Sequence, residues 1–137
     1  MAVTAARARS VTVSDSGVAP YGMTAVARGH AWAVDEPGES GGKDSGPEPF
    51  ELLCGALGAC TAITVRMYAG RKGWPLQRIA VTVRYDKPAE RGRFSIAIAL
   101  EGPLDAAQRD RLLAIAEKCP VHQTLARGAE IVTALAG

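Results

Sequence analysis

Glu51-Leu-Leu-Cys-Gly-Ala-Leu-Gly-Ala-Cys-Thr-Ala-Ile-Thr-Val65 is the stretch that decides how this 137-residue chain folds. From Leu52 to Val65 it carries no formal charge, and its apolar or small residues fall on every side of a helix rather than on one face. The spacing predicts a helix over about Glu51–Lys72. Glu51 sits at the end that favours an anion, and Arg66, Arg71 and Lys72 lie toward the end that favours cations. Gly73 then serves as a C′ residue and Pro75 prevents continuation. A helix apolar all round has to be enclosed by protein all round. One chain of this length barely supplies that enclosure, so the sequence predicts a homodimer that shares the helix. The uncharged run falls short of the roughly 20 residues of a membrane span, so no membrane partner is expected.

Working outward, residues 11–14 and 24–34 read as extended. In the second run Val26, Arg28, His30, Trp32 and Val34 share one face at period two, and Ser16–Gly22 reads as the turn between the runs. Asp35–Pro49 holds four glycines and three prolines in fifteen residues, a long loop of a kind that is often functional. Downstream, Ile79, Val81, Val83 and Tyr85 alternate on one strand, and Phe94, Ile96, Ile98 and Leu100 on the next. These form a hairpin with one wet face. Asp105 and Gln108 have capping-box spacing, and Leu112, Ile115, Ala116 and Cys119 form the apolar stripe of the following helix. Pro120 interrupts it, Val121–Arg127 resumes as a short helical turn, and Glu130–Leu135 reads as a last strand. The order β-β-α-β-β-α-α-β is an α+β layout of antiparallel sheets in a single domain, 1–137, with about residues 1–8 unordered.

Sixteen basic and fourteen acidic residues give a net charge of +2, and 47% of residues are hydrophobic, as in an ordinary globular protein. The basic residues are scattered and aromatics make up only 5%, so no nucleic-acid partner is implied. No apolar run follows the first ten residues as a signal peptide requires. With three cysteines, the expected setting is the reducing cytoplasm.

Cys54 and Cys60 lie on one predicted helix, about 9 Å and 240° apart at standard geometry. A disulfide needs Cα atoms within roughly 7 Å, so these two cannot pair on an intact helix. Either Cys60–Cys119 or Cys54–Cys119 is open as a redox pair within one chain. Cys119-Pro-Val-His122 also has the spacing of a metal-ligand pair, but Cys54-x5-Cys60 on one helix is not a second tight pair, and no metal is expected. His30, on a strand, reads as a structural or exposed histidine.

Gly42-Lys-Asp-Ser-Gly-Pro-Glu-Pro-Phe-Glu-Leu-Leu-Cys-Gly-Ala-Leu-Gly-Ala-Cys-Thr-Ala62 resembles the Pro-x-x-x-Leu…Ala-x-x-Ala-Cys signature of the OsmC/Ohr family. Glu117-Lys-Cys-Pro-Val-His122 resembles that family's second cysteine motif, and Arg66–Pro75 is similar to its OsmC-like branch. The resemblance covers about residues 22–135. It implies the OsmC-like fold, antiparallel sheets packed around a long central helix in an intertwined homodimer. It also implies a thiol-dependent peroxidase acting on organic hydroperoxides. On that resemblance Cys60 is the peroxidatic thiolate, Cys119 resolves its sulfenic acid as a disulfide, and Cys54 is structural. An external dithiol, a small molecule or a protein, regenerates the pair, and no cofactor is required.

A peroxidatic cysteine has to be ionised, which a free thiol near pKa 8.5 mostly is not at neutral pH. In the family an arginine from the N-terminal sheet supplies the cation, held by a glutamate ten residues before the first cysteine. That position here is Phe50, and the carboxylate is one residue later, at Glu51. One residue turns a helical side chain by about 100°. Arg28 is the candidate cation, from the larger-side-chain face of the second extended run, Glu51 the candidate carboxylate, and His122 a candidate assistant to Cys119.

Overall fold

A computed structural model describes residues 7–137. Most of the stretch expected to be unordered, about residues 1–8, lies outside the described residues. The chain divides into two compact units, one up to Gly55 and one over Ala56–Gly137.

The first unit holds an antiparallel sheet in the order β1 (Thr12–Asp15), β2 (Met23–Ala27), β3 (His30–Val34). The turn at Ser16–Gly22 forms as expected, closed by the Ser16 N–H to the Gly22 carbonyl. The run 24–34, expected to be one strand, is instead two. Ala27 pairs with His30, and Arg28 and Gly29 between them have φ of 53° and 88°. Positive φ at both central residues makes the tight hairpin turn whose twist suits antiparallel strands. Arg28 therefore sits exposed at a turn tip and not on a strand face.

The loop after β3 folds back on one buried carboxylate. Asp35 Oδ1 accepts the Glu36 N–H at 2.7 Å, and Oδ2 accepts the Ser45 hydroxyl at 2.8 Å and the Ser45 and Lys43 N–H groups at 3.1 and 3.3 Å. The Ser45 hydroxyl is the main reason that this carboxyl ionises below its ordinary value, and the three N–H groups add to it against the burial. Gly42 is required here, since a Cβ would lie 2.0 Å from the Glu36 carbonyl oxygen.

Helix α1 spans Pro49–Lys72, starting two residues before the expected boundary. Its 24 residues are long and apolar enough, by length and composition, to cross a membrane, which the shorter uncharged run did not suggest. It is nonetheless the core helix of the fold. In the second unit, Val65 and Ala69 of α1 join Leu76, Leu104, Leu112 and Ala116 in one buried cluster. Gly58 lets the helix approach the next strand, where a Cβ would meet Val83 Cγ2 at 3.3 Å. Only 33% of the apolar stretch is buried within the chain. Ala56, Ala59, Ile63, Met67 and Gly70, at the spacing of one helical face, stay exposed.

The remaining strands, β4 (Arg78–Asp86) and β5 (Arg93–Glu101), pair antiparallel in the expected register of faces. Ile79 lies opposite Leu100, Val81 opposite Ile98, Val83 opposite Ile96 and Tyr85 opposite Phe94, so each apolar residue meets another on one side of the hairpin. Helix α2 (Ala106–Ala116) starts with the expected capping box. Asp105 accepts the Gln108 N–H at 2.7 Å, and the Gln108 side chain accepts the Asp105 N–H at 2.9 Å. Helix α3 runs over Pro120–Arg127. The expected final strand at Glu130–Leu135 does not form. A strand exists only by pairing with another edge, and this segment lies exposed, with Ile131 at 88% and Leu135 at 99%.

Candidate functional site

The site is built where α2 gives way to α3 beside α1. Past Ala116 the chain makes one more turn, with the Lys118 N–H on the Ile115 carbonyl. Cys119 then leaves helical geometry, at φ −55° and ψ 130°, and becomes the N-cap of α3. Pro120 follows at the first helical position, where a missing N–H costs nothing and a fixed φ helps. The Cys119 sulfur accepts the His122 N–H at 3.4 Å, the place that a serine or aspartate oxygen usually fills.

Cys60 reaches the same spot from α1. Its thiol neighbours that of Cys119 closely enough for each to bear on the ionisation at this spot, and the backbone N–H of Val121 is near enough to favour the Cys60 anion. The first turn of α3 thus serves both sulfurs, the His122 N–H by a hydrogen bond to Cys119 and the Val121 N–H by favouring the Cys60 anion. Cys119 is fully buried, whereas Cys60 is half-buried and both are free thiols. Burial is the main influence that pushes the Cys60 thiol above its ordinary value, and the neighbouring Cys119 pushes the same way. The Val121 N–H and the Thr64 hydroxyl oppose them by favouring the thiolate.

Two small cavities are lined by chain neighbours of these cysteines, though by neither cysteine itself. One, of about 230 Å³, is lined by Leu57, Arg91, Phe94, His122 and Leu125; the other, of about 190 Å³, by Thr61, Ile98, Leu113, Glu117 and His122. Ile96 and His122 border both. Leu57 and Thr61 stand three before and one after Cys60 on α1. Apolar walls with a few polar groups suit a small organic molecule.

The other sequence candidates have local roles. Glu51 closes the start of α1: its Oε1 accepts the Glu48 N–H at 2.9 Å, and Glu48 Oε1 accepts the Glu51 N–H at 3.2 Å. That is a reciprocal cap with Glu48 at the N-cap and Glu51 at N3. Arg28 belongs to the β2–β3 turn, His30 is exposed at the start of β3, and Cys54 is half-buried on α1. Among the described residues no three His, Cys, Asp or Glu side chains converge as a metal site requires.

The mid-helix position of Cys60 on α1 offers it no helix terminus, and the terminus comes from α3 instead. A signal was present in Cys119-Pro120, which is the N-cap and N1 pattern of a helix start.

The OsmC-like protein family model matches residues 42–134. No curated protein matches the sequence significantly. Among solved structures, an OsmC-like protein from Mycoplasma pneumoniae is similar at TM-score 0.75 and 18% identity, over 88% of this chain and 89% of that one. An organic hydroperoxide resistance protein, OsmC, from Legionella pneumophila gives TM-score 0.61 and 21% identity over 89% and 91%. A hypothetical protein from Aquifex aeolicus VF5 gives 0.71 and 14% over 88% and 89%. At these identities the likeness is one of fold.

Proposed function

The chain belongs to the OsmC-like protein family, and on that premise we propose that it is a thiol-dependent peroxidase that reduces organic hydroperoxides. The observation that carries the reading is the pairing of a half-buried thiol, Cys60, with a fully buried one, Cys119, at one helix start. The more accessible sulfur meets the peroxide and the buried one waits behind it.

The chemistry follows from the pair. The Cys60 thiolate attacks the distal oxygen of ROOH; the O–O bond breaks, RO⁻ leaves and takes a proton as ROH, and Cys60 becomes a sulfenic acid. The Cys119 thiol displaces hydroxide from that sulfur, water is released and the Cys60–Cys119 disulfide forms. An external dithiol then reduces the disulfide by exchange and is itself oxidised. N–H groups at the start of α3 favour the anion in the first step. The working form is a homodimer, in which a second copy covers the exposed face of α1. The expected setting is the cytoplasm.

The test is to treat reduced protein with one equivalent of cumene hydroperoxide and count thiols by mass spectrometry. The expected result is loss of the Cys60 and Cys119 thiols, a disulfide between them and one equivalent of alcohol. Intact thiols with no alcohol formed would end the peroxidase reading. Arg28 and Glu51 enter as groups to be tested. Gln serves at N3 as Glu does, so Glu51→Gln keeps the cap. A fall in turnover in that variant gives Glu51 a role beyond the helix start, and unchanged turnover in Arg28→Ala removes Arg28.

A second reading has its own support. The Cys60 thiol is pushed toward its neutral form, and the two nearby cavities combine apolar walls with Arg91, His122 and Glu117. Both suit an OsmC-like protein that binds a hydrophobic small molecule without turnover. A ligand co-purified with the protein, bound equally by Cys60→Ser, would select that reading.

A further inference from the structure

Thr64 is one helical turn beyond Cys60 on α1 and is buried, at 1% exposure. Its Oγ1 is the one buried side-chain oxygen or nitrogen among the described residues without a hydrogen-bond partner. Threonine in a helix ordinarily avoids this state by donating to the carbonyl four residues back. Thr61, three residues earlier, does so, with Oγ1 on the Leu57 carbonyl at 2.8 Å. Thr64 does not take the equivalent bond to the Cys60 carbonyl.

Helical side chains lean toward the N-terminus, so residue i+4 stands over residue i. The Thr64 hydroxyl is thereby placed on the side of α1 that carries the Cys60 sulfur and favours its anion, although it makes no hydrogen bond in this structure. The two facts agree if the bond is made to the thiolate. A neutral thiol is a poor acceptor, while a thiolate accepts strongly.

We propose that Thr64 is a built-in donor to the Cys60 thiolate, its hydroxyl unpaired while Cys60 is a thiol and bonded to the sulfur once the proton leaves. This rests on reading Cys60 as the working thiol. The titratable groups around it are the neighbouring Cys119, and His122, Glu117 and Arg91 lining the nearby cavities. Strands β4 and β5 bring Val81, Val83, Ile96 and Ile98 to this side, none of which titrates. Thr64 and the Val121 N–H are then the uncharged donors that offset the burial.

The experiment is alkylation of Cys60 by iodoacetamide in reduced full-length protein, read on the Cys60 peptide by mass spectrometry across neutral to alkaline pH. Thr64→Val keeps the shape and loses the hydroxyl. Its Cys60 is expected to alkylate about tenfold more slowly at neutral pH, which corresponds to one unit in the ionisation midpoint. It should match the wild type at alkaline pH, where both are ionised. Thr64→Ser restores the donor and should stay within about threefold of the wild type throughout. Equal rates for Thr64→Val and wild type at neutral pH, equal slowing by Ser and Val, or slowing that persists at alkaline pH would overturn the assignment. Thr64→Ala is the second hydroxyl-free variant; if Val and Ala both fail to fold while Ser folds, the hydroxyl is structural and the proposal falls. Hydroperoxide consumption is followed separately. A wild type without turnover but with an intact Thr64 effect ends the peroxidase reading and leaves this one standing.

Discussion

Ile63→Asp tests whether a second copy covers α1. Ile63 is 51% exposed, at the centre of the face formed by Ala56, Ala59, Ile63, Met67 and Gly70. Full burial of an isoleucine side chain stabilises by about 1.5–3 kcal/mol. About half of that, roughly 1 kcal/mol, is still available to an interface at this position. A symmetric dimer uses the residue twice, so its removal forfeits about 2 kcal/mol, and two carboxylates left facing apolar surface add to the loss. Since 1.4 kcal/mol is tenfold, the dimer dissociation constant should rise at least about 30-fold. Within one chain the effect is small, because Asp and Ile differ little in helix propensity and the site is half solvated. Sedimentation equilibrium across a concentration series measures the association, and circular dichroism confirms that the fold is kept. A wild type that sediments as a single chain throughout, or a variant dimer within threefold of the wild-type affinity, would refute the reasoning.

Three further outcomes are expected. Cys119→Ala removes both the hydrogen bond and the charge by which Cys119 raises the Cys60 thiol, so Cys60 should ionise more readily and alkylate several-fold faster at neutral pH; the same variant, treated with hydroperoxide, should stop at the sulfenic acid, trapped by dimedone. Leu112→Ala empties a fully buried site among Val65, Leu76 and Leu104, and chemical denaturation should show a loss of about 3 kcal/mol. Asp35→Asn leaves the 36–47 loop without its anion, and limited proteolysis should cut there several-fold faster. Because the folded-state pKa of Asp35 is depressed, its stabilising effect is present above the unfolded value and is lost as pH falls through the folded one. Wild-type loop cleavage by an acid protease should therefore approach that of the variant only below the ordinary 3.8.

Local patterns were legible where one segment's own residues decide its geometry. The faces of β4 and β5, the Asp105–Gln108 cap and the long helix through Cys60 follow from periodicity and capping spacing. Where two readings share one pattern, the sequence misled. Alternation through Val26, His30 and Val34 reads as one face of one strand, but the two-residue turn at Arg28 and Gly29 pairs Val26 with Ala31 and His30 with Ala27, so Val26 lies on the opposite face from His30 and Val34. Glu130–Leu135 has strand composition, but composition supplies no partner edge.

What the sequence determined by itself was the chemistry available: two thiols that one helix cannot bring together, a third on another element, and an apolar helix that one chain of this length can barely enclose. What only the tertiary structure decided was which groups surround the Cys60 sulfur. The ionisation of Cys60 is eased by the N–H of Val121, sixty-one residues away, and by the hydroxyl of Thr64, which does not make the backbone bond that Thr61 makes. The physical reason is range. Helix propensity and amphipathic spacing act over a few residues and are written locally, whereas the ionisation of a thiol depends on burial and on donors that packing brings from anywhere in the chain.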